Sequence, residues 1–246
     1  MPDHRRLVRT PFLEQSPLDH YRGIEQRCQR NERAILISEG DDGIESNFAA
    51  VFGPIGAAEF FEMAREFFGR QPFAVIVESE SASFIEDLLN QEGWTLDEEE
   101  VTMVLAPVPE ASPPPTGLHI LPVDTAGAYE DFMRVVPGNR AWVPSLEAAT
   151  DPDVALFVGY DDTLPVASSR LVRYGDIAEI TAVQTLEGRR RRGYGRAMTW
   201  AAIVEARRRG CRTIILTATE MGYLLYRGMG FETVCSYRTY LPPGSV

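Results

Sequence analysis

The residues best suited to chemistry are four consecutive arginines, Arg189–Arg192, followed by Gly193 and Gly195. Such a run could hold a polyanion, and two elements would position it. Upstream, Ile177, Ala178, Ile180, Ala182 and Val183 predict a strand, apolar with β-branched types. Downstream, Met198, Ala201, Ala202 and Ala206 fall at helical spacing and predict a helix from about Gly195 to Arg209. A helix N-terminus carries about +0.5 charge, so each cation there is unfavourable by roughly 0.3–1 kcal/mol. Adjacent arginines also repel one another. A bound polyanion would complete the loop, because free backbone N–H groups and the helix dipole favour phosphate and the glycines permit close approach. Two phosphate loops are excluded. A P-loop needs lysine, and the 24 Lys and Arg residues are all arginine. The dinucleotide fingerprint needs a third glycine and an acid about 20 residues later. Met198 holds the first place, and Thr213–Leu216 lacks the second. The plain alternative is a solvated basic run or a nucleic-acid patch.

A third phosphate loop fits. Arg190-Arg191-Arg192-Gly193-Tyr194-Gly195 resembles the Gln/Arg-x-x-Gly-x-Gly/Ala signature of the GNAT superfamily of acyl-CoA-dependent N-acyltransferases. The resemblance covers about Gly117 to Leu241 and implies an N-acetyltransferase with acetyl-CoA as co-substrate and no metal. It implies that the strand before the loop splays from its neighbour, with pantetheine in the gap. Val183 would then polarise the thioester carbonyl through its backbone N–H, and Thr185 would be a further pantetheine contact. Arg190, Arg191, Arg192, Gly193, Tyr194, Gly195 and Arg196 would cradle the pyrophosphate. Tyr226-Arg227-Gly228-Met229-Gly230-Phe231 matches the family's Tyr-x-x-x-Gly-Phe, whose tyrosine faces the CoA sulfur. Tyr226 is thus the candidate general acid, neutral and able to donate at pH 7 because a free phenol has a pKa of about 10. A packed aromatic is its other reading. Glu179 is the candidate base, a charge in an apolar strand at the offset from Arg192 where the histone-acetylating branch has its catalytic glutamate. Burial would raise its pKa toward a useful range; a strand-end carboxylate facing solvent is the bland reading. The family often has Asn seven residues before the tyrosine. Thr219 stands there instead, which puts that contact to the pantetheine arm in question.

Composition sets bounds on the whole. The chain has 246 residues, 44% apolar and 24% charged, an ordinary globular balance for one or two domains. Its net charge of −12 argues against nucleic acid and anionic membranes as partners and suits a cationic substrate. Cys28, Cys211 and Cys235 are scattered and odd in number, which argues for a reducing compartment and a cytoplasmic protein. No Cys or His pair has metal-ligand spacing.

Taken in order, Ser16-Pro17 opens a predicted helix to about Arg33. Ala34–Glu39 and Asn47–Phe52 read as strands, Ala57–Phe68 as a helix with a phenylalanine core stripe, Phe73–Val77 as a strand, Ala82–Gln91 as a helix and Val101–Ala106 as a strand. Pro107–Pro115 has five prolines in nine residues and marks a linker. Two domains are therefore expected, 1–106 and 117–246, joined by 107–116. In the second, a strand Gly117–Leu121 precedes a helix capped by Asp124. Arg140 and Trp142 lie in an irregular stretch. Val154–Tyr160 and Val166–Arg173 form a hairpin about Asp161-Asp162, and after the central strand and helix come Thr213–Leu216, a short helix Gly222–Arg227 and Thr233–Leu241. The first domain reads as a faded GNAT-like copy. Its elements follow the same order, but Gly53-Pro54-Ile55-Gly56 lacks the signature and Leu89 stands where the second copy has Tyr226. The expected fold class is α/β, with a mixed, mostly antiparallel sheet flanked by helices in two GNAT-like halves. Two function classes remain: acetyl transfer to a primary amine of a small molecule or peptide, or a non-enzymatic acyl-CoA-binding module or sensor. A homodimer is the assembly left open.

Overall fold

The computed structural model describes residues 7–10, 27–38, 43–79, 82–110, 117–136 and 145–245. Most of the helix expected from Ser16, the proline-rich 111–116 and the Arg140–Trp142 stretch lie outside them. By compactness the chain forms two units. One contains Met103–Thr217 and Gly222–Glu232; the other reaches up to Thr102 and adds Ala218–Met221 and the segment from Thr233 on. The units therefore interleave in sequence, where two continuous halves were expected.

The unit carrying the arginine loop contains strand β6 (His119–Pro122), helix α3 (Ala126–Val135), β7 (Val154–Asp161), β8 (Leu164–Tyr174), β9 (Ile177–Thr185), helix α4 (Tyr194–Arg208), most of β10 (Thr213–Ala218) and most of helix α5 (Glu220–Arg227). Its strands lie in the order β6-β7-β8-β9-β10. Every pair is antiparallel except β9–β10. The hairpin turn closes at Asp162, with φ of 56°. The cap of α3 is Thr125, whose hydroxyl accepts from the Ala128 amide at 3.2 Å, and not Asp124; both types can cap, and Thr125 has the extended backbone a cap needs.

Alternation along the strands feeds two faces. Val154, Leu156, Val158, Val172 and Tyr174 pack with Phe132 of α3. Val166, Ala167 and Val183 pack with Tyr194, Ala197 and Met198 of α4. Gly159 lets α4 sit this close: a Cβ there would fall 2.5 Å from Leu118 Cδ2 and 2.8 Å from Met198 Sδ.

The other unit holds β1 (Arg27–Arg30), β2 (Ala34–Ser38), β3 (Asn47–Val51), helix α1 (Ala57–Phe68), β4 (Ala74–Glu78), helix α2 (Phe84–Gln91), most of β5 (Thr95–Leu105) and most of β11 (Glu232–Leu241). Arg27–Arg30, expected as helix, is a fully exposed strand on β2. β11 pairs antiparallel with β4, Tyr237 opposite Glu78 and Tyr240 opposite Val75. A polar cluster fastens it further. Buried Glu86 on α2 accepts from Arg238 at 3.1 Å and from the Tyr240 hydroxyl at 3.0 Å, and Arg238 also meets Glu99 at 3.2 Å. Phe60, Ala64 and Phe68 of α1 pack with Ile85 and Leu89 of α2.

One pattern recurs in the chain. β3-α1-β4-α2-β5 repeats the order β9-α4-β10-α5-β11, each time with the first two strands parallel. Against that shared order, the parallel pairs differ in extent. β3 and β4 stay in register from Phe48–Ala74 to Val51–Val77. β9 and β10 pair only at Ile177–Thr213, Ala178–Ile214 and Glu179–Ile215.

The close seating of α4 can be tested directly. Gly159→Ala should lower the stability of the chain by about 1–3 kcal/mol, the usual penalty of overpacking a filled core. Urea unfolding followed by circular dichroism measures it; a variant as stable as the parent would show that α4 rests further from β7.

Candidate active site

The site is built from β9, the loop after it, and the start of α4. β9 begins as an ordinary central strand and loses its β10 partner after Glu179. The stretch Ile180–Thr185 goes on without register pairing to β10. A bulge falls in the same stretch. Ser168 opposes Gln184 while Arg170 opposes Thr181, so β9 carries one residue more than β8 between those pairs. Ala182 absorbs it with φ of 49°, a strained value for a side-chain-bearing residue. Its carbonyl accepts from the Ser168 hydroxyl at 3.0 Å. The bulge re-aims the strand: Ala182 packs toward the α3 side and Val183 toward the α4 side.

After β9 a short 3₁₀ turn, Glu187–Arg189, leads into the arginines. Arg191 has φ of 66° and Gly193 of 81°. Gly193 is the N-cap of α4; no side chain caps the helix and no acid stands in its first turn. The first-turn amides of Tyr194, Gly195 and Arg196 thus have no intrahelical acceptor, and the first bond of this kind is Ala197 N–H to the Gly193 carbonyl at 3.0 Å. The two glycines do different work. Gly193 is needed for its backbone angle and faces open space. Gly195 packs close to Leu225, whose Cδ2 would lie 3.4 Å from a Cβ there.

Much of the expected repulsion among the arginines is relieved within the unit. Arg189 donates to Asp161 at 2.5 Å and Arg192 meets the same carboxylate at 3.5 Å. Arg190 Nε donates to the Thr185 carbonyl at 3.2 Å, and Arg196 donates to the Gly228 carbonyl at 3.1 Å, beyond the end of α5. Arg191 is exposed. Tyr194 is buried in the α4-side core, so only its backbone faces the loop. Asp161 was read in the sequence only as a turn residue; the acidic doublet Asp161-Asp162 at a hairpin tip was the available signal.

Glu179 is half-buried on the α3 face of β9. Burial pushes its carboxyl up from the ordinary glutamate value; the Arg170 charge and a 3.4 Å contact from the Tyr174 hydroxyl pull it down. Tyr226 is buried on α5, edge-on to Phe231 at 5.9 Å between ring centroids. Burial raises its phenol to about 12, opposed by its contact with Thr199. Thr199 in turn donates to the Gly195 carbonyl at 2.9 Å, which links Tyr226 to the first turn of α4. Thr219, just after β10, is exposed. Among the described residues no group of three His, Cys, Asp or Glu side chains is set to hold a metal, and no helix is long and apolar enough to cross a membrane.

A family model described as the acetyltransferase (GNAT) family matches residues 124–231. The chain carries a GNAT-family acetyltransferase domain. With it, the protein is an acyltransferase. A sequence search of curated proteins finds no match. Solved structures do match. A GCN5-related N-acetyltransferase from Kribbella flavida superposes with a TM-score of 0.71 at 19% identity, over 98% of this chain and 96% of that one. A GCN5-related N-acetyltransferase from Sphaerobacter thermophilus gives 0.60 at 17%, over 86% and 81%. A tandem GNAT protein from the clavulanic acid biosynthesis pathway gives 0.57 at 12%, over 86% and 80%. At these identities the likeness is one of fold, and it extends across both units of this chain.

The raised Glu179 carboxyl has a consequence for stability. A carboxylate whose folded pKa lies above its unfolded value of about 4.3 destabilises the fold once pH exceeds that value. The penalty grows as pH rises and is complete above the folded pKa. Glu179→Gln should therefore unfold at a higher urea concentration than the parent at pH 8, and the difference should vanish near pH 4. A Gln variant less stable at pH 8 would mean that the charged form is held by more than it loses to burial.

Proposed function

We propose that the unit carrying the arginine loop transfers an acetyl group from acetyl-CoA to a primary amine of a small molecule or peptide by direct attack in a ternary complex. The observation that carries this reading is the early end of the β9–β10 pairing beside an uncapped, arginine-flanked helix start. An open strand edge accepts a pantetheine amide chain, and orphan helix amides accept a pyrophosphate. The residues present thus fit acetyl-CoA, whose thioester supplies the activated acyl group when bound.

Each residue has a task. The Arg191–Arg196 amides bind the pyrophosphate, with Arg190, Arg191 and Arg192 adding charge. Thr185 and the open Ile180–Thr185 edge hold the pantetheine arm. The Val183 N–H faces the position where the carbonyl oxygen gathers charge. Glu179, with a raised pKa, takes the proton of the incoming ammonium, directly or through a water. Tyr226, neutral at every physiological pH, gives a proton to the departing thiolate. The net charge of −12 suits a cationic acceptor. The scattered, odd-numbered Cys28, Cys211 and Cys235 suit a reducing cytoplasm.

The other unit reads as a degenerate GNAT-like domain that binds no CoA. Its β3–β4 pair is closed along its length, so no gap opens for pantetheine. It has no arginine run, and Leu89 is buried core. A sensor without activity is the competing use of the loop; the raised carboxyl on β9 favours the enzyme.

Calorimetric titration with CoA tests the binding reading. One site per chain is expected, weaker in salt and much weaker in Arg190→Glu/Arg192→Glu; unchanged affinity in that double variant would remove the cradle. A screen of amines for CoA release then tests catalysis. Glu179→Gln should lower kcat by about 10²–10⁴-fold at neutral pH and recover in part at high pH, where the amine is neutral without help. Tyr226→Phe should lower kcat with little change in CoA affinity. If both variants keep the parent rate, positioning by Val183 and the loop accounts for the activity.

A further inference from the structure

Beyond Glu179 itself, the face of β8 opposite it has residues with no assigned task. Arg170, Val172 and Tyr174 alternate on β8 and stand opposite Thr181, Glu179 and Ile177 of β9. Side chains on one face of an antiparallel pair reach their direct and diagonal partners. Glu179 is therefore bracketed by a guanidinium on one diagonal and a phenol on the other. Arg170 is fixed by its Nε bond to the Thr181 hydroxyl at 2.7 Å, two residues along β9 on the same face. Tyr174 is buried in the α3-side core and brings its hydroxyl to 3.4 Å from Glu179 Oε2.

We propose that Arg170 and Tyr174 are positioning residues for Glu179, which fix both the place and the charge of its carboxylate at the point where β9 leaves β10. The proposal rests on the reading of Glu179 as the base. Val172, directly opposite, is apolar and offers the carboxylate nothing. β10 sets Ile215 beside it, with Thr213 and Thr217 on the same face. α3 brings Tyr129 to that core, and Tyr160 of β7 is turned to Asp131 of α3 at 2.9 Å. Among the described residues, Arg170 and Tyr174 are the groups that favour the ionised carboxyl, against a burial that disfavours it. A base left to burial alone would be protonated over more of the working range and would be free to rotate into the α3-side core. The bracket sets the balance at the mouth of the gap, on the strand just before the Ala182 bulge.

The test is a ¹³C carboxyl titration of the full-length chain labelled at glutamate, with the Glu179 signal identified by its loss in Glu179→Gln. It needs neither acyl donor nor acceptor, so its outcome is separate from whether Glu179→Gln loses activity. The parent midpoint is expected above the ordinary glutamate value. Arg170→Gln should raise it by about one pH unit or more, the usual effect of removing an adjacent opposite charge. Arg170→Lys, which keeps the charge but not the planar bond to Thr181, should raise it less. Tyr174→Phe should raise it as well, because it removes a donor to the charged form. Thermal unfolding is recorded for each variant. If Arg170→Gln does not fold, Arg170→Lys and Tyr174→Phe decide the matter. Folded variants whose Glu179 midpoint stays at the parent value, or falls, would overturn the proposal.

Discussion

Everything at this site depends on two parallel strands that stop hydrogen-bonding partway. A central strand normally has both edges satisfied, and an unpaired buried amide costs about as much as a lost hydrogen bond. β9 keeps three pairs with β10 and then, from Ile180 to Thr185, pairs with β8 and no longer with β10. The bulge at Ala182 follows from the same event. With β8 still paired on one side and β10 gone on the other, β9 has room to take an extra residue. That residue changes which face the later side chains occupy, so Glu179 looks to the α3 side while Val183 anchors against Tyr194 and Met198 of α4. Strand edge, the place of Glu179 and helix start are set by one break in the ladder.

The related segment in the other unit shows what happens without the break. β3 and β4 pair from Phe48–Ala74 to Val51–Val77, α1 starts after Gly56 without flanking arginines, and Leu89 is buried core. There the hydrogen bonds are spent on the sheet and the side chains on the core. The element order survives, because strand-helix-strand packing depends on apolar faces, and those are intact in both.

The local part of this was legible in the sequence. α1 begins and ends where its phenylalanine stripe predicts, and of the two loop glycines Gly193 takes a positive φ. Elements that depend on distant partners were not legible. β1 has no apolar alternation, since Arg27–Arg30 are all exposed and gain their strand form from β2. β5 begins at Thr95, well before Val101, because the acidic run Asp97–Glu100 lies on a strand whose register is set elsewhere. β11 continues the chain order of the arginine-loop unit yet bonds to β4, and nothing in Thr233–Leu241 names that partner. The Ala182 bulge is also silent, as alanine has no preference for the left-handed region. Asp161 could be seen as a turn but not as the counter-ion of Arg189 and Arg192, which lie beyond another whole strand.

The unfavourable features of the chain gather in one place, and their physics explains why. A half-buried carboxylate, a non-glycine residue at φ of 49°, an uncapped helix start and a cluster of arginines would each be removed by simple substitutions in a sequence selected for stability alone. Each is instead supported by neighbours that limit the damage without cancelling it. Asp161 neutralises part of the arginine charge and leaves the amides uncovered. Arg170 and Tyr174 favour the Glu179 carboxylate and leave its pKa raised. The Ser168 hydroxyl satisfies the Ala182 carbonyl and leaves the bulge in place. Local rules broken together, each with partial compensation, are the pattern of a site held ready for a ligand. In the other unit the comparable ionisable group, Glu86, is given two full partners in Arg238 and Tyr240, and the cluster serves to fasten β11. Full satisfaction makes a structural joint, and partial satisfaction leaves reactivity.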